Sequence, residues 1–353
     1  MSRHRIAVLP GDGIGPEVVA GGLRVLAAVA RRFGLEIELV EYPMGAAGVA
    51  AAGEPFPPAT RDAVQRADAV LLGAVGDPSL DQAPRHLRPE TGLLALRALL
   101  GVYANLRPVA IHPALLDHSP LKPERLRGTN LLIVRELTGG LYYGEPRGND
   151  GAVAINTLRY TRAEIERVSR LAFKAAQGRR RRLLSVDKAN VLETSQLWRQ
   201  VVTGLATEYP DVTLEHLYVD YAAMRLVSDP STIDVLLTEN MFGDILSDEA
   251  AVLTGSLGML PSASLGDGPG LFEPIHGSAP TIAGQDVANP IGTIASVAML
   301  LRHGLSLPEP ADAVEEAIAT VLAAGARTRD LGAGPGEALG TRAMAERIAA
   351  AIG

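Results

Sequence analysis

Asp244 and Asp248 stand four residues apart in Asn240-Met-Phe-Gly-Asp-Ile-Leu-Ser-Asp248. If this stretch opens a helix, both carboxylates lie on one face. Two like charges there repel unless a cation sits between them. Mg2+ or Mn2+, hard ions that take carboxylate and substrate oxygens, suit that place. The competing reading is a solvated acidic face favoured by a helix N-terminus. Arginines form a second set. Arg97 and Arg107 lie about the stretch 100–108, and Arg135 follows the apolar run 131–134. An arginine at the end of a parallel strand sits where α/β proteins bind ligands. Pairing with a carboxylate is its natural task, although each alone would equally serve a surface salt bridge. Lys188 is placed in the same way, after the run 183–186 in Ser185-Val-Asp-Lys-Ala-Asn190. Lys122, Lys174 and Lys188 are the only lysines in a chain otherwise served by arginine. Lysine can lose its proton at an accessible pH and arginine cannot.

These residues need elements to hold them. Residues 5–9 read as a strand, 10–16 as a tight turn, and 17–33 as a helix closed by Gly34. Strands follow at 35–40, 69–72, 131–134, 183–186 and 233–237, with helices at 59–67, 93–100 and 163–177. This alternation predicts an α/β protein with a parallel sheet. The segment 142–160 reads as a protruding hairpin around the turn signal Gly148-Asn-Asp-Gly151. Loops rich in Gly and Pro lie at 53–58, 113–123, 266–270 and 332–340. The four arginines 179–182 read as a solvated helix end. Gly11-Asp-Gly-Ile-Gly15 invites a dinucleotide-binding reading, but Pro16 stands where the third glycine of that fingerprint belongs. The turn can still face a cofactor, since glycines allow close backbone approach and a helix N-terminus favours anions.

Composition removes whole classes of function. The 353 residues are 47% hydrophobic and 21% charged, which fits one large or two moderate folded domains. There is no cysteine, so disulfides, a thiolate nucleophile, an Fe–S cluster and a cysteine-held zinc are excluded. The formal net charge of −7 argues against a nucleic-acid partner. No apolar run approaches the ~18 residues of a membrane span. The start Met1-Ser-Arg-His-Arg-Ile-Ala-Val-Leu9 makes a poor signal peptide, so a cytoplasmic location is expected.

Longer stretches carry a resemblance. LPGDGIGPEV (9–18), RPETGLLALR (88–97), ANLRP (104–108), RELTGGLYYGEPR (135–147), SVDKANVLE (185–193), TENMFGDILSDEAAVLTGSLGMLPSASLG (238–266) and HGSAPTIAGQDVANP (276–290) run in order along the chain. Together they resemble the metal-dependent β-decarboxylating dehydrogenases, the isocitrate/isopropylmalate dehydrogenase family. The resemblance implies that a 2-hydroxy acid is oxidised by NAD+ and then loses CO2. It implies Mg2+ or Mn2+ on Asp244 and Asp248, with Asp220 of the partner subunit completing the site and the substrate contacts. It implies Arg97, Arg107 and Arg135 on the substrate carboxylates, Lys188 of the partner subunit as base, and Tyr142 as the proton donor to the enol carbon. Close to a metal ion and three arginines, the ammonium form of Lys188 is disfavoured. Tyr143 would point to the opposite face if its segment is extended.

Substrate choice would lie with Glu90, Leu93, Leu94 and Val191. The two leucines offer an apolar wall for a branched alkyl group, where a tricarboxylate would need a polar partner. That favours 3-isopropylmalate, the leucine-pathway substrate, over isocitrate. The nucleotide would rest on Gly277, Ser278, Ala279, Pro280, Thr281, Asn289 and Asn190, near the loop 73–78. The implied fold is α/β, two-domain and not Rossmann: a discontinuous cofactor-binding first domain of 1–102 and 255–353, and a second domain of 103–254. The second would carry the homodimer interface and an intersubunit arm near 142–160.

Two positions depart from the family pattern. Thr281 stands where NAD-dependent members usually carry an aspartate, which predicts weakened discrimination against NADP. Arg327 and Arg329 are candidate contacts for its extra phosphate. Asp77 stands where the family more often has glycine and has no functional reading. A sibling enzyme for another malate derivative, a non-catalytic homologue and a metal-dependent phosphoryl-transfer enzyme remain the rival classes. The last lacks a P-loop motif, and the second would be expected to have lost Tyr142, Lys188 or the aspartates.

Overall fold

The computed structural model describes residues 3–334 and 336–353; Pro335, in the predicted 332–340 loop, lies outside them. The strands in chain order are β1 Arg3–Gly11, β2 Glu36–Glu41, β3 Ala69–Ala74, β4 Val102–Ala110, β5 Asn130–Glu136, β6 Gly148–Asn149, β7 Ala154–Ile155, β8 Arg182–Asp187, β9 Thr213–Tyr218, β10 Val235–Thr238, β11 Pro261–Gly266 and β12 Gly270–Pro274. The chain divides into two compact units. Unit 1 is Met1–Val102, His112–His118 and Gly255–Gly353; unit 2 is Tyr103–Ile111 and Ser119–Thr254. Segment 112–118, which the sequence reading put in the second domain, therefore packs in unit 1.

In unit 1 the strand order is β2-β1-β3-β12-β11. The first four run parallel and β11 runs antiparallel to β12. β3 is buried along its whole length, as its apolar run requires. The Gly15–Phe33 helix buries Val18, Val19, Val25, Leu26 and Val29 and packs on the Ile291–Met299 and Thr341–Ile352 helices. In unit 2 the order is β4-β5-β10-β8-β9, with β4 antiparallel to β5 and the others parallel. The expected all-parallel sheet is thus a mixed one. β4, β9, β11 and β12 are not among the strands expected from the sequence, because none of them is a plain apolar run.

The Arg162–Gln177 helix starts at a capping box: Thr161 accepts from the Glu164 amide, and Glu164 reaches back to the Thr161 amide. The hairpin expected over 142–160 is much shorter, a two-residue pairing of β6 with β7, and Gly140–Tyr142 is a 3-10 turn. Alternation of Tyr142 and Tyr143 across a strand therefore does not apply. The arginine run follows a helix end with Arg180, Arg181 and Arg182 exposed, but it is not merely solvated. Arg179 donates to buried Asp234 at 3.0 Å and to Asn130 O at 2.8 Å, while Arg180 caps the carbonyls of Ser231 and Ile233. These arginines bind the starts of β5 and β10 together. No helix among the described residues is long and apolar enough to cross a membrane.

Candidate active site

In unit 2, β4 and β5 deliver two arginines to one end of the sheet. Asn105 and Arg135 are register partners. Arg107, two residues after Asn105, shares its face and donates Nε to Asn105 Oδ1 at 2.7 Å. Both arginines are buried, Arg107 at 6% and Arg135 at 2% exposure. They meet the Asn240–Ala251 helix, which Glu239 caps by accepting from the Phe242 amide at 2.7 Å and the Met241 amide at 3.2 Å. Gly243 lets Arg135 cross this helix, since a Cβ there would come within 2.5 Å of Arg135 Cγ.

The predicted carboxylate pair does share one face of that helix. Arg135 donates Nη1 to Asp244 Oδ1. Its Nε and Nη2 donate to Asn240 Oδ1 at 3.1 and 2.8 Å. Arg107 Nη1 donates to Ser247 Oγ at 2.6 Å and reaches Asp248 Oδ1 at 3.4 Å, while its Nη2 lies 3.6 Å from Asp244. Tyr142 donates its hydroxyl to Asp244 Oδ2 at 2.9 Å, and the Arg135 guanidinium lies 5.7 Å from the Tyr142 ring centre. Burial, reinforced by Asp244, pushes the Tyr142 phenol up to about 12, so it keeps its proton at neutral pH. Burial likewise raises Asp248, against the pull of Arg107 and with the repulsion of Asp244 adding to it.

This donor set fits a hard divalent ion. Two mutually repelling carboxylates lie on one helix face and stay open to solvent, Asp244 at 36% and Asp248 at 64% side-chain exposure. Within one chain they lack a third ligand: no group of three acidic or imidazole side chains suited to a metal occurs among the described residues. Asp220 is not brought to the pair. It accepts from Lys188 Nζ at 2.5 Å, and this bond holds its carboxyl below the usual range. Asn190 and Val191 are exposed on the turn after Lys188.

The scaffold beneath the cluster escaped the sequence reading. The Tyr160 hydroxyl lies 3.1 Å from Glu136 Oε2 and 3.3 Å from Glu239 Oε2, and accepts from the Asn240 amide at 3.0 Å. Asn240 Nδ2 donates to the carbonyls of Leu137 and Gly139, each at 3.0 Å. Burial raises both Glu136 and Glu239. Asn240 and Glu239 sit inside a stretch already singled out. Asn105 was readable from its spacing to Arg107. Glu136 and Tyr160 gave no signal of their own.

Unit 1 holds the remaining candidates. Arg97 is paired with Glu273 at 2.9 Å, both about one-tenth exposed (11% and 10%). Leu93 and Leu94 are half-buried, not core, and Glu90 is exposed. A Cβ at Gly76 would lie 3.3 Å from Ser278 Oγ and 3.5 Å from Glu90 Oε1, so loop 73–78 gathers these two residues. The 10–16 turn packs on the loop that carries Ser278, with Gly13 half-buried and Pro16 exposed. The Ile14 amide donates to Ser278 O at 2.8 Å, and a Cβ at Gly13 would come within 2.0 Å of that same carbonyl. Asp12 accepts from the amides of Ala46, Ala47 and Gly76 at 3.0, 3.0 and 2.9 Å.

Gly277, Pro280 and Thr281 are exposed on the next loop, with Ala279 at a left-handed φ of 37°. Beside them His276 Nε2 is buried with no hydrogen-bond partner in the structure, a polar atom that a bound nucleotide would satisfy. Asn289 is engaged, giving Nδ2 to Asp330 at 3.0 Å and accepting from the Ile291 amide at 3.0 Å. Arg327 is not available to a phosphate, because its guanidinium serves the carbonyls of Leu322, Ala326 and Ala114 at 2.8, 2.7 and 2.7 Å. Arg329 is exposed. Asp77 has a structural account: it caps the Pro78–Leu80 turn by accepting from the Ser79 amide at 2.9 Å.

With this geometry in hand, comparison with known proteins places the chain. The profile of the isocitrate/isopropylmalate dehydrogenases matches residues 5–348. The chain belongs to the isocitrate/isopropylmalate dehydrogenase family. Within it, the chain is 58% identical to the 3-isopropylmalate dehydrogenase of Gloeobacter violaceus, over 99% of this chain and 98% of that protein. It is 56% identical to the 3-isopropylmalate dehydrogenase of Anaeromyxobacter dehalogenans, over 98% of each. Among solved structures, the isocitrate dehydrogenase of Methylococcus capsulatus is similar at a TM-score of 0.88 and 36% identity, covering 99% of both chains. For this family member, then, the α/β fold is not a Rossmann fold, as the resemblance implied.

Proposed function

We propose that the chain catalyses oxidative decarboxylation of (2R,3S)-3-isopropylmalate to 4-methyl-2-oxopentanoate and CO2 with reduction of NAD+, in leucine biosynthesis. The observation that carries this is the cluster of two buried arginines, two aspartates and a protonated Tyr142, in a chain whose relatives at 56–58% identity are named 3-isopropylmalate dehydrogenase. Arg97, Arg107 and Arg135 bind the substrate carboxylates, with half-buried Leu93 and Leu94 as the alkyl wall.

Asp244 and Asp248, with Asp220 of a second copy, would hold Mg2+ or Mn2+, which when bound supplies Lewis acidity at the hydroxyl and its neighbouring carboxylate. Lys188 takes the hydroxyl proton as hydride leaves the same carbon for NAD+. After CO2 departs, Tyr142 gives its proton to the enol carbon. One proton leaves and one returns, so the sequence balances without net acid. The Gly277–Thr281 loop and His276 hold the nucleotide. NAD is preferred, and the uncharged Thr281 weakens discrimination against NADP.

A homodimer completes the site. Tyr221, Met224 and Val227 on the Val219–Ser228 helix, Ile245 on the Asn240–Ala251 helix and Val252 just after it are all more than two-fifths exposed (41–64%), and the two helices pack side by side. Large apolar side chains exposed on two adjoining helices support an association surface there. A two-fold partner on it would supply the Lys188–Asp220 pair that one chain does not bring to Asp244. The exposed Val153 and Ile155 of the β6–β7 hairpin support its reading as the intersubunit arm. A cytoplasmic setting suits this chemistry.

The test is nicotinamide reduction by 3-isopropylmalate, with and without a chelator, beside isocitrate, malate and tartrate. Metal-dependent NADH formation confined to isopropylmalate is expected. Activity on another hydroxy acid instead would overturn the substrate.

A further inference from the structure

We propose that Arg199 and Ser195 are positioning residues for the Lys188–Asp220 pair. The inference rests on the reading of Lys188 as the base. Both residues lie on the Glu193–Ala206 helix with i, i+4 spacing, hence on one face. Buried Ser195 accepts the Lys188 amide on its Oγ at 3.1 Å. Arg199 donates Nε and Nη2 to the two oxygens of Asp187, each at 2.8 Å. Asp187 is 1% exposed, and its Oδ1 also accepts the Ala189 amide at 2.9 Å. The backbone is therefore held at Lys188 and on both sides of it.

The same guanidinium reaches the second strand. Asp187 and Tyr218 form the last rung of the β8–β9 pairing, and Arg199 lies 5.0 Å from the Tyr218 ring centre. Lys188 is the next residue after Asp187, and Asp220 stands two residues after Tyr218 in the first turn of its helix. One arginine thus joins the two strand ends whose next residues carry the ion pair. The pair itself is exposed, Lys188 at 29% and Asp220 at 65%. An ion pair so open to water holds its geometry weakly. The fork of Arg199 supplies the rigidity, which a lysine could not reproduce. The alternative is that Arg199 only neutralises buried Asp187 and serves stability alone.

The lysine-poor sequence makes a direct test available. The full-length protein is treated with limiting acetic anhydride, and modification of Lys122, Lys174 and Lys188 is followed by mass spectrometry. In Arg199→Met, Lys188 should react about two- to fivefold faster, the size of a lost exposed ion pair, with Lys122 and Lys174 unchanged. Arg199→Lys should fall between, and Ser195→Ala, which leaves the Arg199–Asp187 bond intact, should give a smaller rise. In turnover, Arg199→Met should lower kcat about tenfold with little change in KM, and should add nothing in a Lys188→Met background. Unchanged Lys188 reactivity, or an equal rise at all three lysines, overturns the proposal. An equal kcat loss in both backgrounds overturns it as well. Should Arg199→Met not fold, Ser195→Ala carries the same comparison. If Lys188→Met keeps the wild-type kcat, rather than the small residual rate on which the double variant is compared, the catalytic reading fails, while the labelling still decides the positioning.

Discussion

The Arg107–Arg135–Asp244 cluster of unit 2 and the turn-and-loop cluster of unit 1 both gather distant segments, by opposite means. In unit 2, full charges do the gathering. Two buried guanidiniums bind Asn105, Asn240, Ser247 and two aspartates, so that nearly every contact runs through a side chain. In unit 1, backbone meets backbone: the Ile14 amide on Ser278 O, the Asp12 amide on Ala74 O, and one carboxylate, Asp12, accepting three amides from two other segments. Charged side chains are suited to bind and move protons. Close-packed backbone fixes the shape of the loops it joins, whatever charge their side chains carry. A change of charge should therefore strike function in unit 2, whereas a change of bulk should strike geometry in unit 1.

The largest effect is expected from Asp244→Asn. It removes the anion that Arg135 and Arg107 face and weakens the acceptor for Tyr142. Its kcat/KM should drop about a thousandfold, the upper range for loss of one preorganised electrostatic group. Steady-state kinetics with saturating Mg2+ checks it. A loss below tenfold would break the contrast by removing the charge from the chemistry.

Gly13→Ala is its counterpart in unit 1. The residue sits at φ 57°, and the added methyl would lie 2.0 Å from Ser278 O. Strain of this kind should cost about 3 kcal/mol, seen as a lower urea midpoint at unchanged slope. The KM for NAD+ should rise while kcat changes little, because the 277–281 loop shifts and no reacting group does. A stability loss under about 1 kcal/mol would mean that the turn yields easily.

Glu239→Gln probes the scaffold beneath the charged cluster. Burial raises Glu136 and Glu239 above their unfolded values. A carboxyl raised in the fold binds its proton more tightly there than in the unfolded chain. Its contribution is full below the unfolded pKa of about 4.3 and is lost as pH rises through the folded value. The wild type should therefore lose stability as pH rises above the ordinary carboxyl range, and Glu239→Gln should lose less over the same range. Urea midpoints at several pH values measure the difference. Identical pH profiles would mean that Glu239 does not titrate there.

How much of this was legible in the sequence follows the same division. Asp244 and Asp248 were readable because a four-residue spacing on a helix forces a shared face, and the helix formed. Arg135 was readable because it directly follows the apolar run 131–134, which forms the middle of β5. The Glu136–Tyr160–Glu239 scaffold was not, since its members are 24 and 79 residues apart and no local period links them. The glycine turn was readable as a tight turn into a helix, and spacing revealed that backbone approaches closely there, but not that the approaching partner is Ser278. Arg327 was misjudged because an arginine near a loop looks free until its three carbonyl partners are seen. β4, β9, β11 and β12 were hidden because glycine, proline and polar residues interrupt their apolar runs.

The smallest expected effect is also the finest test of the unit 1 loop. Thr281 is exposed in the Pro280–Ile282 turn, and its carbonyl accepts from Gln285 Nε2 at 2.9 Å. Backbone is thus fixed there while the side chain stands outside. Thr281→Asp adds a charge at no packing cost, so stability should stay within about 0.5 kcal/mol. If position 281 faces the adenosine ribose, the new carboxylate gains a ribose hydroxyl partner and repels a 2′-phosphate. The ratio of kcat/KM for NAD to that for NADP should then rise about fivefold, as expected for one exposed charge interaction. A ratio left unchanged would move the ribose away from this loop, and the backbone-built cluster of unit 1 would need another ligand.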